Sequence, residues 1–111
     1  MPSLVMHAPE YQVIGKNKKS FKDTFETGIG RGYALNSTIL RQISPGCQVV
    51  LLCKDRECRA EGILVKLEPG IKDGEPWFTT NHIRRYNVYV EKFEMVPYKS
   101  EKLNKNGVAV I

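Results

Sequence analysis

Aromatic and arginine side chains occur close together near residue 80, and these residue types suit contacts with a nucleic acid. The only tryptophan lies in Pro76-Trp77-Phe78, and Arg84 and Arg85 follow shortly afterwards. Aromatic rings can stack on unpaired bases, while guanidinium groups can hold phosphates. Trp77 and Phe78 could instead fold back and close one end of a β-barrel, and the sequence supports both roles equally.

A glycine-rich run, Gly28-Ile29-Gly30-Arg31-Gly32, is a second candidate binding element. Glycines allow a positive φ and let backbone amides approach an anion closely, so Arg31 and its flanking amides could contact a phosphate. The run lacks the GxGxxG spacing of dinucleotide-binding proteins and the Gly-Lys-Ser/Thr of a P-loop, and we expect no cofactor. The alternative is that Gly28 ends a helix and the remaining residues form a flexible connector.

The three cysteines, Cys47, Cys53 and Cys58, do not have the spacing of a metal site. Their intervals differ from a CxxC pair, and no histidine is close in sequence. An odd number of cysteines without an export signal favours free thiols, and we expect at least two to act as small buried hydrophobes. No nucleophile and base can be paired from the sequence, so we expect no catalytic residues, and an enzyme ranks third among the hypotheses.

Length and charge indicate one small basic domain over residues 1–111. The chain has 17 Lys and Arg against 12 Asp and Glu, a net charge of +5, and 41% hydrophobic residues, which is typical of a globular domain. The positive charge favours a polyanionic partner such as RNA or DNA, although it could also simply keep a small protein soluble. Without an apolar run of membrane-spanning length or a secretory signal, we expect a cytoplasmic protein with no membrane partner.

A β-hairpin is the predicted centre of the fold. The apolar run Cys47–Cys53 and the strand-like run Cys58–Leu67 are joined by a polar turn at residues 54–57. Gly62 lies where the apolar alternation of the second strand changes face, which predicts a β-bulge at that residue. A similar change after Glu91 predicts a bulge or a break in a later strand.

The remaining segments predict two short helices and further strands. Ser20 can cap a helix that ends near Thr27, and Asn36 or Ser37 can cap a second helix over Thr38–Ile43. Strands are expected in Leu4–Ile14, Ile83–Val96 and Val108–Ile111, and a long loop in Glu68–His82. These elements predict an α+β domain whose small mixed or antiparallel sheet curls into a barrel or pseudo-barrel.

The order of elements in the middle of the chain resembles that of a known superfamily. A helix near Tyr33-Ala34-Leu35-Asn36 precedes Ile43-Ser44-Pro45-Gly46-Cys47-Gln48-Val49-Val50-Leu51-Leu52, and Ala60-Glu61-Gly62-Ile63-Leu64-Val65-Lys66-Leu67 follows. This arrangement is similar to the PUA-like superfamily, including its EVE and ASCH branches, where a Pro-Gly or Lys-Gly-Asp turn leads from a helix into a hairpin. Cys47 replaces the usual acidic residue of that turn, and the GxKxxExR signature of the ASCH branch is missing.

The resemblance implies a PUA-like β-barrel that recognises RNA or modified bases in a cleft beside the barrel. By this resemblance, Arg31 and Tyr33 would form one wall of the cleft, and Trp77, Arg84 and Arg85 the other. We therefore expect a nucleic-acid-binding module, for RNA or another single-stranded nucleic acid, that performs no catalysis. The alternative is a protein-interaction or assembly module that contacts a protein partner or a second copy of the chain.

Overall fold

The computed structural model describes residues 2–10, 13–14, 17–18 and 20–111, and the side chains of all of these except 13, 14, 17 and 18. In these residues the helices are α1 (Phe21–Thr27) and α2 (Ser37–Leu40). The strands are β1 (Ser3–His7), β2 (Val13–Ile14), β3 (Asn17–Lys18), β4 (Ile29–Ala34), β5 (Gln48–Cys53), β6 (Cys58–Pro69), β7 (Ile71–Lys72), β8 (Glu75–Pro76), β9 (Arg85–Val96) and β10 (Val108–Val110). Neither helix of this described part is long and apolar enough to cross a membrane.

Six of the described strands form one curled, mixed sheet with the order β10-β1-β5-β6-β9-β4. Neighbouring strands are antiparallel except β1 and β5, which run parallel. The pairs β2–β3 and β7–β8 form separate two-stranded ladders. The molecule is thus an α+β domain with a half-barrel sheet and two short helices, which confirms the predicted fold class at this level.

Both faces of the sheet are covered along β1 and β5. The inner face packs on α1 and α2 through a core that includes Leu4, Val49 and Leu51. On the outer face, Val5, Val50 and Leu52 pack under Tyr98 and Leu103, which belong to the segment between β9 and β10. We call residues 97–107 the strap. A strand buried on both faces needs apolar residues at successive positions, which accounts for the unbroken apolar run of β5.

The ends of both helices follow their capping residues. The Ser20 hydroxyl accepts a hydrogen bond from the Asp23 amide at 3.1 Å, and the Asn36 side chain accepts one from the Ile39 amide at 2.9 Å. Gly28 ends α1 in the left-handed conformation with φ 73° and donates its amide to the Thr24 carbonyl. The second helix is shorter than predicted, because residues 41–42 form a turn directly after Leu40.

The central hairpin is confirmed, and the β6–β9 register does shift at Gly62, but the extra residue lies on β9 and the two apolar sets of β6 do not both face inward as predicted. Ala60, Gly62 and Leu64 all lie on the inner face, whereas Ile63 and Val65 are 40% and 44% exposed. The pairing of β6 with β9 also gains one residue at Val65 on β6, between the Leu64 and Lys66 pairs. A second shift falls opposite Gly62 on β9, where Lys92 has φ 59°, in agreement with the bulge predicted after Glu91.

The segment predicted as a long loop is built onto the sheet. After β6 the chain forms the β7–β8 hairpin and then a second tight turn, in which the Thr79 amide donates to the Ile83 carbonyl at 2.9 Å. Between the two turns, the Trp77 amide donates to the Gly70 carbonyl at 3.0 Å, and the Trp77 carbonyl accepts from the Arg85 amide at 2.9 Å. These bonds fix the aromatic segment against the ends of β6 and β9.

Candidate nucleic-acid interface

Tyr33 lies in the core and not at a surface. Its side chain is 0% exposed, and its hydroxyl donates a hydrogen bond to the His7 carbonyl at 3.0 Å. Burial raises the pKa of this phenol above its ordinary value, because the interior disfavours a phenolate. The assignment of Tyr33 to a binding wall is therefore wrong, since no ligand can reach its ring without opening the core.

Trp77 is a packing residue of the loop. It is 8% exposed, and its indole ring lies directly over Gly32, where an added Cβ would be 2.5 Å from Cζ3. Gly32 also has φ +71°, a conformation that favours glycine. The alternative in which Trp77 folds back onto the barrel is the one observed for this residue. Phe78, the next residue, is 48% exposed.

Two cations flank the Trp77 ring. The guanidinium carbon of Arg85 lies 5.4 Å from the ring centroid, and the Lys72 ammonium lies 5.7 Å from it. Arg85 also donates from Nη1 to the Gly32 carbonyl at 2.6 Å, and its partial burial lowers its pKa. Arg31 directly precedes Gly32 in β4, so three of the five predicted contact residues, Arg31, Trp77 and Arg85, lie on adjoining segments here.

The outer surface of β6 and β9 carries a polar cluster that the sequence did not single out. The Lys66 ammonium lies 4.6 Å from the centroid of the Tyr89 ring and 3.0 Å from a carboxylate oxygen of Glu68. The Tyr89 hydroxyl donates to the other Glu68 oxygen at 2.9 Å. Lys66 of β6 pairs with Tyr89 of β9, and Tyr89 pairs with Ile29 of β4. The cluster therefore lies beside β4, the strand that contains Arg31.

Electrostatic coupling links the members of this cluster. Hydrogen bonds from Lys66 and then from Tyr89 lower the pKa of Glu68. The pKa of Tyr89 is raised, chiefly because its hydroxyl donates to Glu68, and the positive charges of Lys66 and Arg31 act in the opposite direction. Arg31 is thus close enough to act on Tyr89. Lys66 keeps its positive charge beside an aromatic ring, and its neighbour Glu68 stays ionised.

We define the cationic face as the surface formed by Arg31, Lys66, Lys72, Trp77, Arg85 and Tyr89. Strand alternation explains why Arg85 and Tyr89 of β9 share one side. In β9, Arg85, Asn87 and Tyr89 alternate with residues that point toward the core. The alternation of these β9 residues with apolar residues could have predicted from the sequence that they face outward. Their alignment with β6, however, depends on the bulge at Val65.

Arg84 belongs to a different surface from Arg85. It lies opposite Phe78 in the small ladder of the second turn, and alternation turns this pair away from Trp77 and Arg85. The Arg84 guanidinium carbon is 5.3 Å from the Phe78 ring centroid, and Nη2 donates to the Gly70 carbonyl at 3.1 Å. Its buried Nε has no hydrogen-bond acceptor within the described residues. Arg84 and Trp77 are therefore near each other in the chain but do not lie on the same surface.

The glycine-rich run is neither a flexible connector nor an open anion cradle. Residues 29–34 form β4, and the amides of Gly28, Ile29 and Gly32 already donate to protein oxygens. The acceptor for Gly32 is the side chain of Asn87, at 3.1 Å. An anion contact by this run would therefore come from the Arg31 side chain and not from the backbone amides.

Comparisons of the sequence and fold with protein-family models, curated proteins and solved structures gave no match. Among the described residues, no three His, Cys, Asp or Glu side chains are grouped so that they could hold a metal ion. We therefore interpret the function of this surface from the side chains of the cationic face alone.

Proposed function

We propose that this chain is a non-catalytic module that binds single-stranded nucleic acid, in the first instance RNA, across the cationic face. The observation that carries the proposal is the repeated placement of cations over aromatic rings on adjoining elements. Lys66 lies over Tyr89, and Lys72 and Arg85 lie over Trp77. We also propose that the fold is PUA-like, and the RNA recognition that this resemblance implies agrees with such a role.

Phosphate contacts would come from the long side chains around the face. Lys66 is exposed, and Arg31 and Lys72 are partly exposed. Such side chains can move toward a backbone phosphate and release condensed counterions. Arg85 would contribute mainly by holding Trp77 and β4 in place, because it is already bonded to the Gly32 carbonyl.

Base stacking would fall to Tyr89 and not to Trp77. The Trp77 ring is covered, whereas Tyr89 is only partly buried and lies on the outer side of the sheet beside Arg31 and Lys66. Stacking of one base on an exposed aromatic ring contributes about 1–3 kcal/mol and tolerates any base. Phe78 and Arg84 form another pair of an aromatic ring and a cation on the other side of the hairpin. A longer nucleic-acid strand could extend to this pair.

The test is a fluorescence anisotropy titration of labelled single-stranded RNA, single-stranded DNA and duplex RNA, at low and near-physiological salt. Trp77 emission provides a second readout, because the only tryptophan of the chain lies within the face. We expect single strands to bind more tightly than the duplex and to change the emission. Tyr89→Ala should weaken binding by about 1–3 kcal/mol, and Tyr89→Phe, which keeps the ring, should not. No binding of any nucleic acid at low salt would overturn the proposal.

One observation favours the alternative of a protein-interaction module. Ile63 and Val65 are exposed on the outer side of β6, and Ile71 follows at 56% exposure on the β7–β8 hairpin. Exposed apolar side chains can contribute to the centre of a protein interface. Sedimentation equilibrium that shows self-association, abolished by Ile63→Lys and unaffected by Tyr89→Ala, would support this function over nucleic-acid binding.

A further inference from the structure

Cys53 and Cys58 lie opposite each other at the end of the central hairpin. They are register partners at the last pair of β5 and β6, next to the turn formed by residues 54–57. Opposite residues in antiparallel strands have Cα atoms about 4.5–5.5 Å apart, a separation that a disulfide can span. Both are free thiols in this structure. Cys47 is separate from them, because it directly precedes β5 and its carbonyl accepts a hydrogen bond from the Leu64 amide.

The two thiols differ in their access to solvent. Cys53 is 1% exposed, whereas Cys58 is partly exposed, and its thiol donates to the Arg56 carbonyl at 3.5 Å. Both line a cleft of about 280 Å³, and the other described residues that line it are Glu10, Phe21, Lys22 and Arg56. A small molecule that enters this cleft would therefore meet Cys58 before Cys53.

We propose that this cysteine pair is a site of thiol–disulfide exchange with a low-molecular-weight disulfide. The Cys58 thiolate attacks one sulfur of the disulfide, which forms a mixed disulfide on Cys58 and releases one small thiolate. The Cys53 thiolate then attacks Cys58 Sγ, which forms the Cys53–Cys58 bond and releases the second thiolate. The two protein thiols lose two electrons and two protons in total, and the small disulfide is reduced to two thiols.

The walls of the cleft select the chemical class of that disulfide. Lys22 and Arg56 carry one positive charge each, and the Glu10 carboxylate, which is ion-paired with Arg56, offsets one of them, so that a net positive charge remains. A disulfide that bears carboxylates, of the glutathione type, is therefore attracted more than a neutral or cationic one. The Phe21 ring provides an apolar wall for its carbon chain.

The exchange is expected to be reversible. The bond would close a loop of only the six residues from Cys53 to Cys58, which are already held together by strand pairing. Since the entropic stabilisation from a disulfide grows with loop length, this one gains little and remains open to reduction by small thiols. The pair is thus suited to respond to the thiol–disulfide ratio around the protein.

The experiment equilibrates the reduced, full-length protein with excess glutathione disulfide and follows intact mass and titratable thiols. We expect the loss of two of the three thiols and of two hydrogen atoms, with no retained glutathione. Trypsin can cleave after Lys54 and Arg56, so the product should contain two peptides that only the Cys53–Cys58 bond joins. Cys47→Ser is the control and should still form this bond.

The single variants test the order of the steps. Cys53→Ser should retain one glutathione on Cys58, and Cys58→Ser should retain both remaining thiols without an adduct. Lys22→Ala should slow the reaction severalfold with glutathione disulfide but not with the neutral hydroxyethyl disulfide. Persistence of all three thiols in the native wild type, a stable glutathione adduct without ring closure, or a disulfide between two chains would each overturn the proposal.

Discussion

At the residue scale, the contact between Gly32 and Trp77 fixes the shape of the candidate site. The indole ring occupies the space where any other side chain at position 32 would begin, and the positive φ of Gly32 lets β4 pass beneath it. Arg85 joins the two by stacking on the ring and bonding to the Gly32 carbonyl. The position of the whole 70–85 segment therefore depends on a glycine that carries no functional group.

Gly32→Ala should destabilise the protein more than Gly74→Ala does. Both glycines have positive φ, +71° and +79°, but no atom of the described residues lies within 4 Å of an added Cβ at Gly74. The left-handed conformation alone costs an alanine about 1–2 kcal/mol, and overpacking against Trp77 adds about 1–3 kcal/mol at Gly32. Urea unfolding of both variants measures the difference, and equal losses would show that Trp77 does not restrain position 32.

Tyr33→Phe tests the buried hydroxyl and its pH dependence. Loss of the bond to the His7 carbonyl should lower the free energy of unfolding by about 1 kcal/mol near neutral pH. The folded pKa of Tyr33 is raised, so its contribution is complete below the ordinary value of 10.0 and is lost as the pH rises above it. The difference between wild type and Tyr33→Phe should therefore shrink at alkaline pH.

Urea unfolding at neutral and alkaline pH checks this expectation. Tyr98→Phe is the matched control, because it also removes one tyrosine but leaves the Tyr33 hydroxyl in the core. It should lose stability at alkaline pH as the wild type does. Parallel curves for the wild type and Tyr33→Phe would contradict the assigned role of the hydroxyl.

At the element scale, the strap that covers the outer face of β1 and β5 is held by a buried charge. Arg59 is 7% exposed, and its Nη1 donates at 2.8 Å both to the Glu101 carboxylate and to the Lys99 carbonyl. Glu61 lies on the same side, 3.3 Å from Nε. The guanidinium therefore links β6 to the strap, and Tyr98 and Leu103 close over the apolar residues beneath.

Glu101→Gln should loosen the strap. The substitution weakens a charge-assisted bond to a buried guanidinium and should cost about 1.5–3 kcal/mol of stability. Amide exchange in residues 97–107 should become faster, while exchange in α1 changes less. Glu10→Gln, which breaks the exposed ion pair with Arg56, is the control and should change stability little. Equal effects of the two variants would contradict the conclusion that Arg59 holds the strap on β6.

The elements with local signals were predictable from the sequence. Ser20, Gly28 and Asn36 act on backbone groups within four residues, so the ends of the helices follow from neighbouring residues. The hairpin likewise joins two runs across a short turn. The inward face of β6 after Gly62 was predicted wrongly because Ile63 and Val65 have the residue types of buried strand positions, and only the packing of Gly62 under Val90 shows which residues face inward.

The candidate site was predictable only in part, because its residues meet through long-range pairing. Arg31, Trp77 and Arg85 were identified by residue type, but the burial of Trp77 depends on a glycine 45 positions earlier in the chain. Tyr33 was misassigned because the neighbouring sequence does not show whether a tyrosine close to an arginine is buried in the core or exposed at the surface. Lys66 and Tyr89 were missed because the β6–β9 register contains two shifts.

At the scale of the whole molecule, long-range strand pairing separates the proposed functions in space. The two ends of the described chain meet where Leu4 pairs with Val110, and the parallel pairing of β1 with β5 places the hairpin at the centre of the sheet. The cationic face lies toward the opposite edge, on β4, β9 and β6. The cysteine cleft lies at the turn end of the hairpin, so oxidation there can be tested independently of nucleic-acid binding.

The most direct test compares two triple variants of equal net charge in their binding to single-stranded RNA across a range of salt. Arg31→Ala, Lys66→Ala and Lys72→Ala remove charge from the cationic face, whereas Lys54→Ala, Lys102→Ala and Lys105→Ala remove it from exposed positions elsewhere. Each phosphate contact contributes about 0.7 to the slope of log affinity against log salt. We predict that the first triple variant lowers this slope by about 2 and that the second leaves it near the wild-type value. Equal slopes for the two would contradict binding at the cationic face.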